Sequence, residues 1–149
     1  LDNKVKLDGV SQENFDLLEE SFDKLDELYR EELKEVTRRD LVVSHAALGY
    51  LVDRYGLNQI PITGLSPQEE PSPKKMAELS KILREKDISY IFFEELASPK
   101  LSETLAKEVG AELLVFNPLD GISKEEMDNG QDYFSIMERN LVNIKKALE

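Results

Sequence analysis

From Ser11 to about Thr37, the residues Phe15, Leu18, Phe22, Leu25, Tyr29, Leu33 and Val36 recur at intervals of three and four. That spacing places them on one face of a helix, with Ser11 as its N-cap. Some ~27 residues at a rise of 1.5 Å extend about 40 Å, whereas a compact domain of this size has a radius of gyration near ~15 Å. Such a helix either crosses the whole body or continues as a strut towards another domain.

After residue 39 the pattern changes to short apolar, β-branched runs separated by helical stretches. Strands are expected at about 40–44, Gln59–Thr63, Ile88–Phe93 and Leu113–Phe116. A helix is expected from 46 to Tyr55, stopped by Gly56 as a left-handed terminal residue. Ser72-Pro73 and Ser98-Pro99 pair an N-cap with a first-turn proline; the second of these helices ends at Gly110, and Ser123-x-x-Glu126 reads as a capping box. The last helix carries Phe134, Met137, Leu141, Ile144 and Leu148 as a core stripe. Strands alternating with helices predict an α/β fold, a four-stranded parallel sheet flanked by helices and preceded by one long helix. Two regions follow: residues 1–38, a lead-in and the long helix, and residues 39–149, an α/β lobe.

Composition narrows the functions. The 149 residues suffice for one core, and a formal charge of −12 argues against binding nucleic acid or an anionic membrane. With no cysteine there are no disulfides, thiolate zinc sites or cysteine nucleophiles. No apolar run reaches the ~20 residues of a membrane span. The chain begins with leucine, as expected of a mature product or an excised piece.

The candidate chemistry gathers at one edge. Parallel strands open all their strand-to-helix loops on the same side, where ligands bind. His45, the single histidine, leaves the first strand; Glu69 and Glu70 follow the second, Glu94 and Glu95 the third, Asp120 the fourth. One imidazole among carboxylates is an N/O donor set suited to zinc or manganese. Taken singly, His45 is equally a structural histidine at a helix start, and each acid a solvated loop carboxylate. No glycine-rich phosphate loop, nucleophile elbow or metalloprotease helix motif is present, so no enzyme is expected. A magnesium-dependent, receiver-like phosphoacceptor stays open, with phosphorylation at Asp120 or Glu94. So does an interaction or adhesion module without metal.

Several segments occur together in a recognisable order: Ser44-His45-Ala46-Ala47-Leu48-Gly49-Tyr50-Leu51, Tyr55-Gly56-Leu57, Gly64-Leu65-Ser66-Pro67 with Glu70-Pro71-Ser72-Pro73, Ile91-Phe92-Phe93-Glu94, Asn117-Pro118-Leu119-Asp120-Gly121, and Tyr133 with Met137, Asn140 and Leu141. Over residues 11–149 the chain resembles the cluster A-I substrate-binding lipoproteins of bacterial zinc and manganese ABC importers, nearest their zinc-binding AdcA/ZnuA-like members. Proteins of that family hold the metal between two α/β lobes joined by one long helix, and the resemblance covers that helix and the C-terminal lobe.

The resemblance implies that His45 and Asp120 are metal ligands, with Glu94 and Glu70 as groups that orient them. It implies Zn(II) as cargo, with Mn(II) as the second candidate, and histidine at position 45 tilts the choice towards zinc. The implied partners are a divalent metal ion, an N-terminal lobe supplying two further histidines, an ABC permease, and a second copy if two half sites pair. The implied location is extracytoplasmic, at the cell surface or in the periplasm. With two ligands of its own, the chain is expected to bind metal weakly as a monomer.

Overall fold

The computed structural model describes residues 11–66, 71–94, 98–119, 121–122 and 124–149. The lead-in over residues 1–10 and the box beginning at Ser123 therefore lie outside the described residues. The element order is α1 Gln12–Lys34, β1 Asp40–Val43, α2 Gly49–Tyr55, β2 Asn58–Pro61, α3 Pro73–Glu85, β3 Tyr90–Glu94, α4 Lys100–Val109, β4 Glu112–Phe116, α5 Lys124–Asp128 and α6 Tyr133–Leu148.

The expected α/β alternation is present. β1 pairs with β2 and β3 with β4, both in parallel. The four strands do not form one continuous ladder: among the described residues they make two separate two-stranded sheets. β1 nevertheless lies beside β3, and side chains close the seam at both ends. At the amino end Lys86 Nζ meets Asp40 Oδ2 at 2.6 Å, and Arg38 reaches the side chain and backbone carbonyl of Asp87. At the carboxyl end Ser44 Oγ donates to Glu94 Oε1 at 2.7 Å. Because like ends meet, β1 and β3 run in the same direction.

Successive strand residues point to opposite faces, and the two cores follow that alternation. Leu41, Val43, Phe92, Leu114 and Phe116 face α1, α2 and α6. Val42 and Ile91 face α3 and α4, packing with Leu79, Leu83 and Leu105. The result is three layers, two sheets' worth of short strands between two sets of helices.

Helix boundaries shift from the sequence reading for identifiable reasons. α1 ends at Lys34 rather than near Thr37 because Arg39 folds back onto the terminal carbonyls, donating to Leu33 O at 2.9 Å and Lys34 O at 3.3 Å. α2 starts at Gly49 rather than 46, since Ala46 N donates to Gly64 O and Leu48 N to the Gln59 side chain. Residues 45–48 are thereby a loop tied to the β2 side. Gly56 does terminate α2 in the left-handed region, at φ 64°. α4 lacks the expected serine cap: Pro99 occupies the cap position without a side-chain bond. α6 has a reciprocal capping box, Asp132 with Ser135, that the apolar stripe does not reveal.

The stripe of α1 is buried along only half its length. Leu25, Tyr29, Leu33 and Val36 belong to the core, and the buried Tyr29 hydroxyl donates to Met137 O at 2.7 Å; burial raises that phenol well above its ordinary pKa. Phe15, Leu18 and Phe22 are all more than 40% exposed, although Phe22 still touches the rings of Tyr133 and Phe134. α1 and α2 are locked by Asp26, which accepts from Arg54 at 2.6 and 2.8 Å and from the Tyr55 hydroxyl at 2.9 Å. Arg30 adds a contact at 3.0 Å. These donors, Arg54 foremost, hold the Asp26 carboxyl well below the usual carboxylate range.

Two outcomes follow from this packing. Leu33→Ala removes a fully buried side chain and is expected to cost about 2–5 kcal/mol in urea unfolding, whereas Leu18→Ala should stay within about 0.5 kcal/mol. Equal costs would contradict the half-buried stripe. Asp26 binds its proton less readily in the folded chain than in the unfolded one. Its contribution is thus full above the ordinary aspartate value near about 3.9 and is lost as pH falls below it. The stability difference between wild type and Asp26→Asn should shrink between about pH 5 and pH 2, measured by parallel denaturant titrations; a constant difference would remove the clamp from the account.

Candidate metal centre

His45 follows the carboxyl end of β1, and Glu94 is the last residue of β3. Their side chains are only 11% and 13% exposed, and His45 Nδ1 lies against Glu94 Oε1. Nδ1 is buried and makes no aligned hydrogen bond, so the approach is electrostatic. A ring nitrogen facing a carboxylate carries its proton, because a lone pair there would face another lone pair. The other nitrogen, Nε2, is then the one whose lone pair is not turned to the carboxylate.

The loop bearing His45 is held from two sides. Ser44 O accepts from Thr63 N at 2.9 Å and from Thr63 Oγ1 at 3.1 Å, joining the ends of β1 and β2. Ser44 Oγ binds the same Glu94 oxygen that His45 faces. Glu94 therefore serves two polar groups presented by consecutive residues of one loop.

A small cavity opens at this edge, lined by Ser44, His45 and Glu94 with Phe92, Phe116 and Pro118. Its volume is about 10 Å³, room for one water-sized particle and not for an organic ligand. Pro118 brings the loop after β4 to the same place. That loop is fixed by Asn140 from α6, whose side chain accepts from Asn117 N at 3.0 Å and donates to Asn117 O at 2.7 Å. Asn117 Oδ1 in turn accepts from Leu119 N at 2.8 Å, while Leu119 sits in the left-handed region at φ 65°. Asn140 and Asn117 are buried, at 1% and 3% exposure. Neither had a role assigned from sequence; a buried asparagine within the apolar stripe of α6 was the available signal.

Asp120 and Glu70 lie outside the described residues, as do Glu69 and Glu95. Of the expected ligand and orienting groups, the structure thus brings together His45 and Glu94. Among the described residues no three histidine or acidic side chains cluster around a common point.

Comparison with known proteins gives the site its context. The family described as "Zinc-uptake complex component A periplasmic" matches residues 8–147. The chain belongs to this family. It is 43% identical over 147 residues to the high-affinity zinc uptake system protein ZnuA of Bacillus subtilis, covering 99% of this chain and 45% of that protein. It is 46% identical over 126 residues to the zinc-binding protein AdcA of Streptococcus pyogenes, covering 85% of this chain and 24% of that protein. Among solved structures, the Zn(II)-bound ZnuA-like domain of Streptococcus pneumoniae AdcA superimposes with a TM-score of 0.76 at 40% identity, over 91% of this chain and 51% of that one. The laminin-binding protein Lbp of Streptococcus pyogenes gives a TM-score of 0.81 at 30% identity, over 92% and 52%.

The chain spans about half the length, or less, of the curated relatives and solved structures it matches. The resemblance read over residues 11–149 is borne out at the level of family. No described helix is long and apolar enough to cross a membrane.

The Asn140 clamp yields a direct test. Asn140→Ala leaves the Asn117 N–H and carbonyl buried without those partners, at a cost on the order of 1–3 kcal/mol. Chemical denaturation of the variant should show that loss, and an unchanged midpoint would remove Asn140 from the support of the 117–119 loop.

Proposed function

We propose that the chain is the C-terminal lobe, with its interlobe helix, of an extracytoplasmic solute-binding protein that captures Zn(II) for import through an ABC permease. The observation that carries this reading is the buried His45–Glu94 pair on an ion-sized cavity, in a member of a zinc-uptake family. In the proposed site His45 Nε2 and a carboxylate oxygen of Asp120 bind the metal. Glu94 holds His45 in the ligating tautomer, and Glu70 belongs to the supporting shell. Pro118 on the cavity wall is two positions before Asp120, which supports that assignment. Mn(II) is the second candidate cargo.

The exposed apolar half of α1 supports the strut reading. Phe15 and Leu18 form an apolar face that this lobe leaves exposed, and Phe22 is only partly covered by the rings of Tyr133 and Phe134, as expected where a second lobe packs on the same helix. On this reading residues 1–38 form the lead-in and strut, and residues 39–149 the lobe, whose four strands act as one parallel layer. The other half of the ligand set comes from an N-terminal lobe or from a second copy pairing half sites. No bond is made or broken; the work is capture and release.

A second reading, a metal-independent adhesion module, draws on the structural likeness to the laminin-binding protein. The two readings part on one measurement. Metal that binds the native state raises its melting temperature, so zinc should stabilise the chain and His45→Ala and Asp120→Ala should each abolish most of that shift. Glu94→Gln should weaken zinc binding by about 10–100-fold, the range for groups that orient a ligand. Identical melting curves with and without zinc for wild type would favour the adhesion module and exclude the capture role.

A further inference from the structure

We propose that Thr63 is a positioning residue for the zinc site: with Gly64 it holds both peptide planes that flank His45, and so sets where the imidazole points. The proposal rests on the zinc-capture reading and adds to it the group that aims its histidine. The Ser44 carbonyl, in the peptide that enters His45, accepts from Thr63 N at 2.9 Å and from Thr63 Oγ1 at 3.1 Å. The Ala46 N–H, in the peptide that leaves His45, donates to Gly64 O at 3.0 Å. Two consecutive residues beyond the end of β2 thus grip the chain on either side of one α-carbon. Because a peptide unit is planar, holding the planes on both sides holds the φ and ψ between them. The direction of the His45 Cα–Cβ bond follows.

No helix or strand fixes this segment: residues 44–46 lie between β1 and α2, and Ala47 N turns back onto His45 O at 2.9 Å, a turn of the tightest kind. At the ring itself the restraint has little direction. Nδ1 lies against Glu94 without an aligned hydrogen bond, and a charge contact of that kind keeps the ring near the carboxylate without choosing the angle at which Nε2 leaves it. That angle is therefore set from the backbone. Of the three ties from residues 63 and 64, only the Thr63 hydroxyl belongs to a side chain. Thr63 is 6% exposed, so its hydroxyl stays on the Ser44 carbonyl instead of exchanging with water.

The chain's single histidine makes the test clean, because its imidazole gives one set of nuclear magnetic resonance signals. Wild type, Thr63→Val, Thr63→Ser, His45→Ala and the double variant Thr63→Val/His45→Ala are titrated calorimetrically with zinc chloride, and the ring signals are followed wherever His45 is present. Thr63→Val exchanges the hydroxyl for a methyl group and leaves the backbone tie in place, so without metal it should melt within a few degrees of wild type. Its zinc affinity should nevertheless fall about three- to tenfold, the scale of one hydrogen bond, and its metal-free ring signals should broaden or divide. Thr63→Ser should restore both. The double variant should bind zinc no more weakly than His45→Ala alone. Unchanged zinc affinity or ring signals in Thr63→Val, no recovery in Thr63→Ser, or an equal loss when His45 is absent overturns the positioning role and leaves zinc capture standing. If wild type takes up no zinc, or His45→Ala binds it as wild type does, the capture reading fails and the positioning role with it.

Discussion

A carboxylate nearly closed off from water must be paired or it destabilises the fold. Glu94 meets that condition through two neighbours on the opposite strand's exit, the Ser44 hydroxyl and the His45 ring. The same pairing closes the carboxyl end of the β1–β3 seam, where no backbone ladder joins the two sheets among the described residues. One interaction thus joins the ends of two strands and lines a water-sized cavity. Local charge pairing and global topology depend on each other here. Without the seam the three residues would not meet, and without the pairing the seam would bury an uncompensated charge.

The rest of the lobe supplies rigidity at a distance from that point. The pairs at the amino end of the seam, Lys86 with Asp40 and Arg38 with Asp87, are substantially exposed, and such pairs contribute little energy singly. Their role is alignment. Firmer support comes from α1 and α6, whose buried faces carry Tyr29, Leu33, Ile144 and Leu148. Asp26 joins α1 to the end of α2, the helix that begins soon after His45. The loop carrying the imidazole is thereby held by β2 at its start and, through α2, by the long helix.

Sequence pattern revealed the layers because both periods were clear. The strands alternate sides residue by residue, and α6 shows the i, i+3, i+4 stripe that places Leu141, Ile144 and Leu148 inside. The edge bearing His45 and Glu94 was legible too, since parallel connections send strand exits to one side. The break in the ladder was not, because hydrogen-bond register between non-consecutive strands leaves no periodic trace. The early part of the 46–55 segment was expected to be helical, but Gly64 and Gln59 compete for its backbone donors. Partners remote in sequence decided that boundary. Asn140 was noted only as part of a recurring segment, and its role was not legible for the same reason: its partner Asn117 lies on another element.

A site divided between a rigid lobe and a second body has a physical logic for capture and release. A ligand shifts a conformational equilibrium only by its differential affinity for the two states. If one lobe held every donor, occupancy would be indifferent to whether the lobes were apart or together. In the proposed site, with His45 presented from this lobe and the remaining donors supplied from elsewhere, closure and occupancy would reinforce each other, and opening would release the metal.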